Sequence, residues 1–185
     1  MYFPIIANFA IPIRFAMAYI GLVSDTHGLW DDRVRSFLAP VDAIWHAGDF
    51  GTVEVFDAIS AFKPLTAVYG NCDGAQLRRC CPPVQVFTLE GMKVLMMHIG
   101  GYPGRYDGKA LQLIAAHRPD LFVCGHSHIL KVMNDKHFNM LTLNPGAAGN
   151  FGFHLVQTAL RFRIAGGRVT DMEVGQWEKQ IKTTL

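Results

Sequence analysis

Charge is scarce in this chain: only 17% of its 185 residues are Asp, Glu, Lys or Arg, and the formal net charge is +2. No long run of Lys or Arg exists, so the basic stripe of a protein that tracks duplex nucleic acid is absent, and a small anionic ligand suits the balance better. Cysteine is equally sparse. Cys72, Cys80, Cys81 and Cys124 contain no CxxC pair and two of them are adjacent, which excludes a disulfide framework and a thiolate zinc site and points to reduced cysteines in a cytoplasmic protein. There is no low-complexity tract, internal repeat or linker, so a single domain is expected. Half of the residues are apolar, ample for a core that needs no staples at this length.

The apolar start, "MYFPIIANFAIPIRFAMAYIGLVS", needs its own reading. Ala16-Met17-Ala18 has the small-x-small form of a signal cleavage site, but no positive charge precedes the apolar run, Arg14 lies inside it, and Pro4 and Pro12 interrupt any helix there. Met17 opens directly on a strand-like segment. Residues 1–16 are therefore read as an apolar N-terminal extension, with Met17 a candidate natural start, and 17–185 as the domain. No membrane association is expected.

From Tyr19 the chain alternates short apolar runs with amphipathic ones. Residues 19–24, 42–48, 65–70, 93–98 and 121–125 have the length and β-branched or aromatic content of buried strands. Segments 30–39, 53–62 and 105–118 carry apolar residues at helical spacing, the last stopped by Pro119. This is the βαβ pattern. Beyond residue 128 the texture turns to antiparallel strands with turns at Asn134-Asp135 and Gly166-Gly167, and residues 84–98 read as a hairpin turning at Glu90-Gly91. The fold class is α/β, with a mixed, two-layered sheet system.

Metal-competent residues stand where the apolar runs stop: Asp25 and His27 in "SDTHG", Asp49 in "HAGDF", Asn71 in "GNCD", His98 in "MMHIG", His126 and His128 in "GHSH". They recur at steps of about 22 to 28 residues, close to one strand-helix unit, so the C-terminal ends of the strands should gather them at one edge. If the backbone is extended there, residues i and i+2 project to the same side and each short pair aims two ligands at one centre. Seven donors exceed one ion. Two ions with a bridging carboxylate fit better, and Asp49, mid-series, is the natural bridge. Imidazole, carboxylate and amide oxygen together favour Mn²⁺, Fe²⁺, Zn²⁺, Ni²⁺ or Co²⁺ over Ca²⁺.

These five motifs, in this order, resemble the calcineurin-like metallophosphoesterases, in particular their small bacterial and archaeal phosphodiesterase branch, to which the scaffold subunit of retromer is related. The resemblance covers residues 19–165 and implies a sandwich of two sheets flanked by helices. It implies one ion on Asp25, His27, Asp49 and His128 and a second on Asp49, Asn71, His98 and His126, with manganese placed first among the candidate metals. The implied reaction is hydrolysis of a small phosphodiester by a hydroxide that bridges two ions. The alternative is a weakly active or inactive metal-binding scaffold on the same fold. Dimers and tetramers occur in the family, which leaves a homo-oligomer open.

Departures from the family pattern bear on catalysis. Where much of the superfamily has a His after the metal-binding Asn, this chain has Cys72, followed by Asp73; a thiol is a poorly matched acid near neutrality. Asp73 is read either as a group that orients or protonates the leaving group or as a turn residue. Arg105 and Lys109, after the glycine-rich "IGGYPGRYD", are candidate substrate contacts. "NPGAAGNFG" has Ala147 where the family's loop carries Ser. His117, His137 and His154 are read as ordinary surface or packed histidines, and His46 as a strand residue that could orient ligands.

Overall fold

The computed structural model describes residues 17–179, so the extension at residues 1–16 lies outside the described residues. Two five-stranded mixed sheets face each other. The first is ordered β12-β11-β1-β2-β3 and the second β4-β5-β8-β10-β9. The first comprises β1 (Ala18–Val23), β2 (Ala43–His46), β3 (Leu65–Ala67), β11 (Val156–Ala165) and β12 (Arg168–Glu178). The second comprises β4 (Val84–Leu89), β5 (Met92–Met97), β8 (Leu121–Val123), β9 (Leu130–Asp135) and β10 (Met140–Pro145). A small hairpin, β6 (Gly101–Tyr102) with β7 (Arg105–Tyr106), stands apart. The helices are α1 (Asp32–Phe37), α2 (Val53–Phe62), α3 (Ala75–Cys80) and α4 (Gly108–His117). None of the described helices is long and apolar enough to cross a membrane.

The central strands β1 and β8 are apolar without alternation because both faces are covered. In β1, Ile20 and Leu22 enter the layer between the sheets, while Tyr19 and Val23 face the helical layer with Val34, Leu38, Val55 and Ile59. In β8, Leu121 and Val123 join the inter-sheet core and Phe122 packs outward with Ala110 and Ile114 of α4. Trp45 fills the centre, edge-on to Phe87 and Phe162 at ring distances of 5.2 and 5.8 Å. β1, β2 and β3 run parallel, as do β5, β8 and β10, so in each sheet a set of strand ends opens toward the same edge.

Several boundaries differ from the sequence expectation. The helix expected from residue 105 begins at Gly108, because the Asp107 carboxylate accepts the Lys109 amide (2.9 Å) and caps it, leaving Arg105 and Tyr106 to pair with β6. It ends where Arg118 turns left-handed (φ 46°) before Pro119. Asn134 and Asp135 remain in β9, and the turn falls at residues 136–139, closed by Asn139 at φ 49°. The turns at Glu90-Gly91 (φ 45° and 80°) and Gly166-Gly167 (54° and 72°) lie where expected, each with two positive φ values, as tight hairpins require. Helix α3 (Ala75–Cys80) was not expected.

Candidate metal centre

Each donor sits just beyond a parallel strand: Asp25 and His27 after β1, Asp49 after β2, Asn71 after β3, His98 after β5, His126 and His128 after β8. The backbone there is not extended. Asp25, His27, Asp49, His126 and His128 have φ of 54°, 45°, 58°, 68° and 57°, five of the nine positive-φ non-glycine residues among those described. The paired ligands thus converge through left-handed turns rather than through strand alternation. Such a conformation costs on the order of 1 kcal/mol or more per residue and persists because neighbouring loops hold it. The amides of Asp25, His27 and Gly28 donate to the carbonyls of Gly48, Asp49 and Phe50 at 2.9, 3.1 and 2.7 Å, so the loops after β1 and β2 run as one ladder.

The donor atoms meet. Asp25 Oδ1 lies 3.2 Å from His128 Nε2, 3.8 Å from His27 Nε2 and 4.0 Å from His98 Nε2. Asp49 Oδ2 lies 3.2 Å from His98 Nε2 and 3.9 Å from His27 Nε2, and Asn71 Oδ1 lies 3.1 Å from the same His98 nitrogen. His27 and His128 face each other through Nε2 atoms 3.2 Å apart, and the His126 ring packs edge-on against His98. Asp25, His27 and His128 form one potential ion-binding group and Asp25, Asp49 and His98 another; His27, Asp49 and Cys72 form a third that overlaps both.

Three observations test whether these residues suit a cation. Asp25 Oδ1 is buried and accepts no hydrogen bond, although imidazole nitrogens surround it, which is costly unless a positive charge comes to it. The His98 Nδ1 lies 2.8 Å from the Ala47 carbonyl, which can only accept, so Nδ1 carries the proton and a neutral ring turns its Nε2 lone pair toward two oxygens. A Cβ on Gly70 would strike the Asp49 carboxylate, and one on Gly48 would lie 2.6 Å from His98 Nδ1; glycine there is a condition of the convergence. The donor set fits divalent ions.

Electrostatics follow from the crowding. Burial would raise Asp49, but the hydrogen bond and charge that a protonated His98 supplies in the metal-free site, with the Cys72 amide (2.8 Å), outweigh it and hold this carboxyl below the usual range. Burial pulls His98 down, yet its contacts with Asp49 and the Asp25 charge leave it raised. His27 is lowered, chiefly by burial. The Cys72 thiol is pushed up to about 11 by burial and by Asp49.

Asp73 is buried. Its buried carboxylate accepts the amides of Asp49 (3.0 Å), Gly51 (3.0 Å) and Gly70 (2.8 Å), clamping the β2 and β3 loops together. His46 accepts the Gly48 amide at Nδ1 (3.1 Å), so its Nε2–H faces Thr26 Oγ1 (3.0 Å), whose hydroxyl in turn reaches the Phe50 carbonyl (3.2 Å). It braces the loops that carry Asp25 and Asp49. Sequence reading missed Thr26, although it stands between two ligands, and Asn144, whose amide donates to the Gly125 carbonyl (2.7 Å) and Ser127 Oγ (3.1 Å) beneath the "GHSH" turn.

A cleft of about 320 Å³ adjoins the centre and is lined by Tyr69, Asn71, Arg78, His98 and Lys109. Arg78 is committed to the loop, donating to the Asp73 (2.7 Å) and Asn71 (3.2 Å) carbonyls. Lys109 thus opens onto the cleft, whereas Arg105 lines a different one with Tyr106, Asp135 and Phe138.

The family model of the calcineurin-like phosphoesterase superfamily domain matches residues 19–167. The chain belongs to that superfamily. A probable metallophosphoesterase of Methanothermobacter thermautotrophicus is 28% identical over 139 residues, covering 69% of this chain and 76% of that protein. Among solved structures, Vps29 of Chaetomium thermophilum superposes with a TM-score of 0.68 at 15% identity, covering 89% of this chain and 98% of that one. A structure described as a novel archaeal phosphodiesterase gives 0.66 at 19% identity, covering 84% and 99%. At such identities both likenesses show the fold: two sheets flanked by helices, as in other calcineurin-like phosphoesterases.

Proposed function

We propose that this protein is a phosphoesterase that uses two divalent ions to hydrolyse a small phosphodiester. One observation carries the reading: two donor groups, Asp25/His27/His128 and Asp25/Asp49/His98, meet around a buried carboxylate oxygen that has no hydrogen-bond partner. His27 and His128 would hold one ion with Asp25 and Asp49; Asn71, His98 and His126 would hold the other with Asp49. Bound there, such ions supply Lewis-acid polarisation of the phosphoryl group and a water acidic enough to attack phosphorus at neutral pH. The mixed nitrogen and oxygen donors suit Mn²⁺, Zn²⁺, Fe²⁺, Ni²⁺ and Co²⁺ alike, and the family resemblance puts Mn²⁺ first.

The chain's own residues do the positioning. Ala47 fixes the His98 ring, Asp73 locks the loops of Asp49 and Asn71, and the Cys72 amide holds Asp49 Oδ1. Cys72 itself, protonated far above neutrality, gives little acid assistance to a departing alkoxide. Esters with acidic leaving groups are therefore the favoured substrates. The archaeal phosphodiesterase among the structural neighbours supports a diester over a monoester. Four cysteines without a disulfide accord with a reducing cytoplasm.

The test is turnover of an activated aryl phosphodiester and its monoester by metal-stripped protein, with Mn²⁺, Zn²⁺, Ni²⁺ or Mg²⁺ added back. Metal-dependent diester cleavage, lost in Asp49→Ala and His98→Ala, is expected. Tight metal binding with no turnover of either ester would instead favour a metal-binding scaffold, the reading that the Vps29 likeness and Cys72 bring forward.

A further inference from the structure

His154 lies outside the ordered motifs, 26 residues after His128, on the loop that leads into β11. Its Nε2 is 3.0 Å from the Gly149 carbonyl and its Nδ1 is 3.2 Å from His128 Nδ1. A carbonyl oxygen only accepts, so His154 Nε2 carries a proton and donates it. In a neutral ring, donation through Nε2 leaves Nδ1 as a bare acceptor. The proton between the two Nδ1 atoms must therefore belong to His128. Its Nε2 is consequently a lone pair, the one that stands 3.2 Å from both Asp25 Oδ1 and His27 Nε2.

We propose that His154 is a positioning residue that fixes the tautomer and ring orientation of His128 for ion binding at the Asp25/His27/His128 group. The loop is shaped for this pairing. Gly152, at φ 109°, lies over the two rings, and a Cβ there would come to 2.5 Å from His128 Nδ1 and 3.3 Å from His154 Nδ1. The Gly152 carbonyl is itself held by Lys179 Nζ (2.7 Å), and the rings cross nearly perpendicular, with centroids 5.0 Å apart at 81°. His98 obtains the same tautomer from the Ala47 carbonyl. One imidazole facing each donor group is thus oriented from behind, by a backbone carbonyl in one case and by a relay of two side-chain nitrogens in the other. A partner behind a metal-binding imidazole typically governs affinity by ten- to a hundred-fold.

The inference rests on the metal-binding reading of the site, and two measurements separate them. Nitrogen-15 spectra of the metal-free protein at pH 7.5 read the His128 tautomer directly: Nδ1–H is expected in the parent, loss of that preference in His154→Ala, and recovery in His154→Gln, whose amide can donate to Gly149 and accept from His128. Titration calorimetry with Mn²⁺ should show one of two ions weakened about ten- to a hundred-fold in His154→Ala and restored in His154→Gln. The Nε2–H tautomer in the parent, or unchanged affinity for both ions in folded His154→Ala, would overturn the inference. A parent that binds no ion would sink the metal-centre reading, while the tautomer would still decide the relay.

Discussion

Asp25 Oδ1 and His128 Nε2 lie 3.2 Å apart across the gap between the two sheets, yet the oxygen accepts no hydrogen bond. Residues 103 positions apart in sequence are thereby held so that a carboxylate and a lone pair face one point. The pair is a cost in the metal-free chain and an asset once a cation arrives.

Replacing Asp25 by Asn should separate those two effects. Metal-free Asp25→Asn should unfold at a temperature equal to or above that of the metal-free parent, because a buried charge whose Oδ1 accepts no hydrogen bond is gone while the amide oxygen can still accept the His126 N–H that Oδ2 accepts at 3.0 Å. Saturating Mn²⁺ should raise the parent by about 2.7 kcal/mol at a hundred-fold excess over its dissociation constant and the variant by far less. Thermal melts with and without metal check this; equal metal gains in both proteins would refute it.

Asp73→Ala removes the acceptor for three loop amides, those of Asp49 and Gly70 buried, and should destabilise the protein by about 2 kcal/mol or more, since each buried N–H left unpaired costs about 1–3 kcal/mol. Urea unfolding measures the loss. In Asp73→Asn, activity should fall with no change in the shape of the pH–rate profile, because Asp73 clamps loops and donates no proton to substrate. A missing limb in that profile would restore it as the acid.

In the proposed reaction Cys72 should set the dependence on leaving group. With its thiol pushed up to about 11, the parent should show a steep decline of rate with leaving-group pKa, and Cys72→Ser should keep that slope. Cys72→His should flatten it and raise turnover of poor leaving groups about tenfold or more, within the range of general acid catalysis. A series of aryl and alkyl diesters, under conditions where chemistry limits the rate, provides the measurement. A flat slope in the parent would count against this account.

His46 should make stability sensitive to mild acid. Burial lowers it from 6.5 to about 3, so between those values the unfolded chain binds a proton that the folded chain does not. Stability from this group is present above about pH 6.5 and lost as pH falls, with a slope of up to about 1.4 kcal/mol per unit. His46→Gln should be weaker at pH 7.5, having lost the ring that stacks on Phe50 at 3.6 Å, but less sensitive to acid. Denaturation at pH 7.5, 6 and 5 compares them; parallel curves would exclude the effect.

Residue type and order along the chain determined the central strands, their burial on both faces and which polar side chains stand at their ends, because unbroken apolar runs and polar stops are local properties. "SDTHG" and "GHSH" already held the side chains that flank Asp25 Oδ1. Tertiary structure decided how they converge. The left-handed turns at five donors exist only because adjacent loops supply hydrogen bonds and glycines clear space, as Gly70 does for Asp49. Arg105 and Lys109, four residues apart, open onto different clefts because the hairpin of β6 and β7 ends between them. Asp73 and His154 look ordinary in sequence, since their partners come from loops set by which strands are neighbours, and strand order is a long-range property that no local pattern encodes.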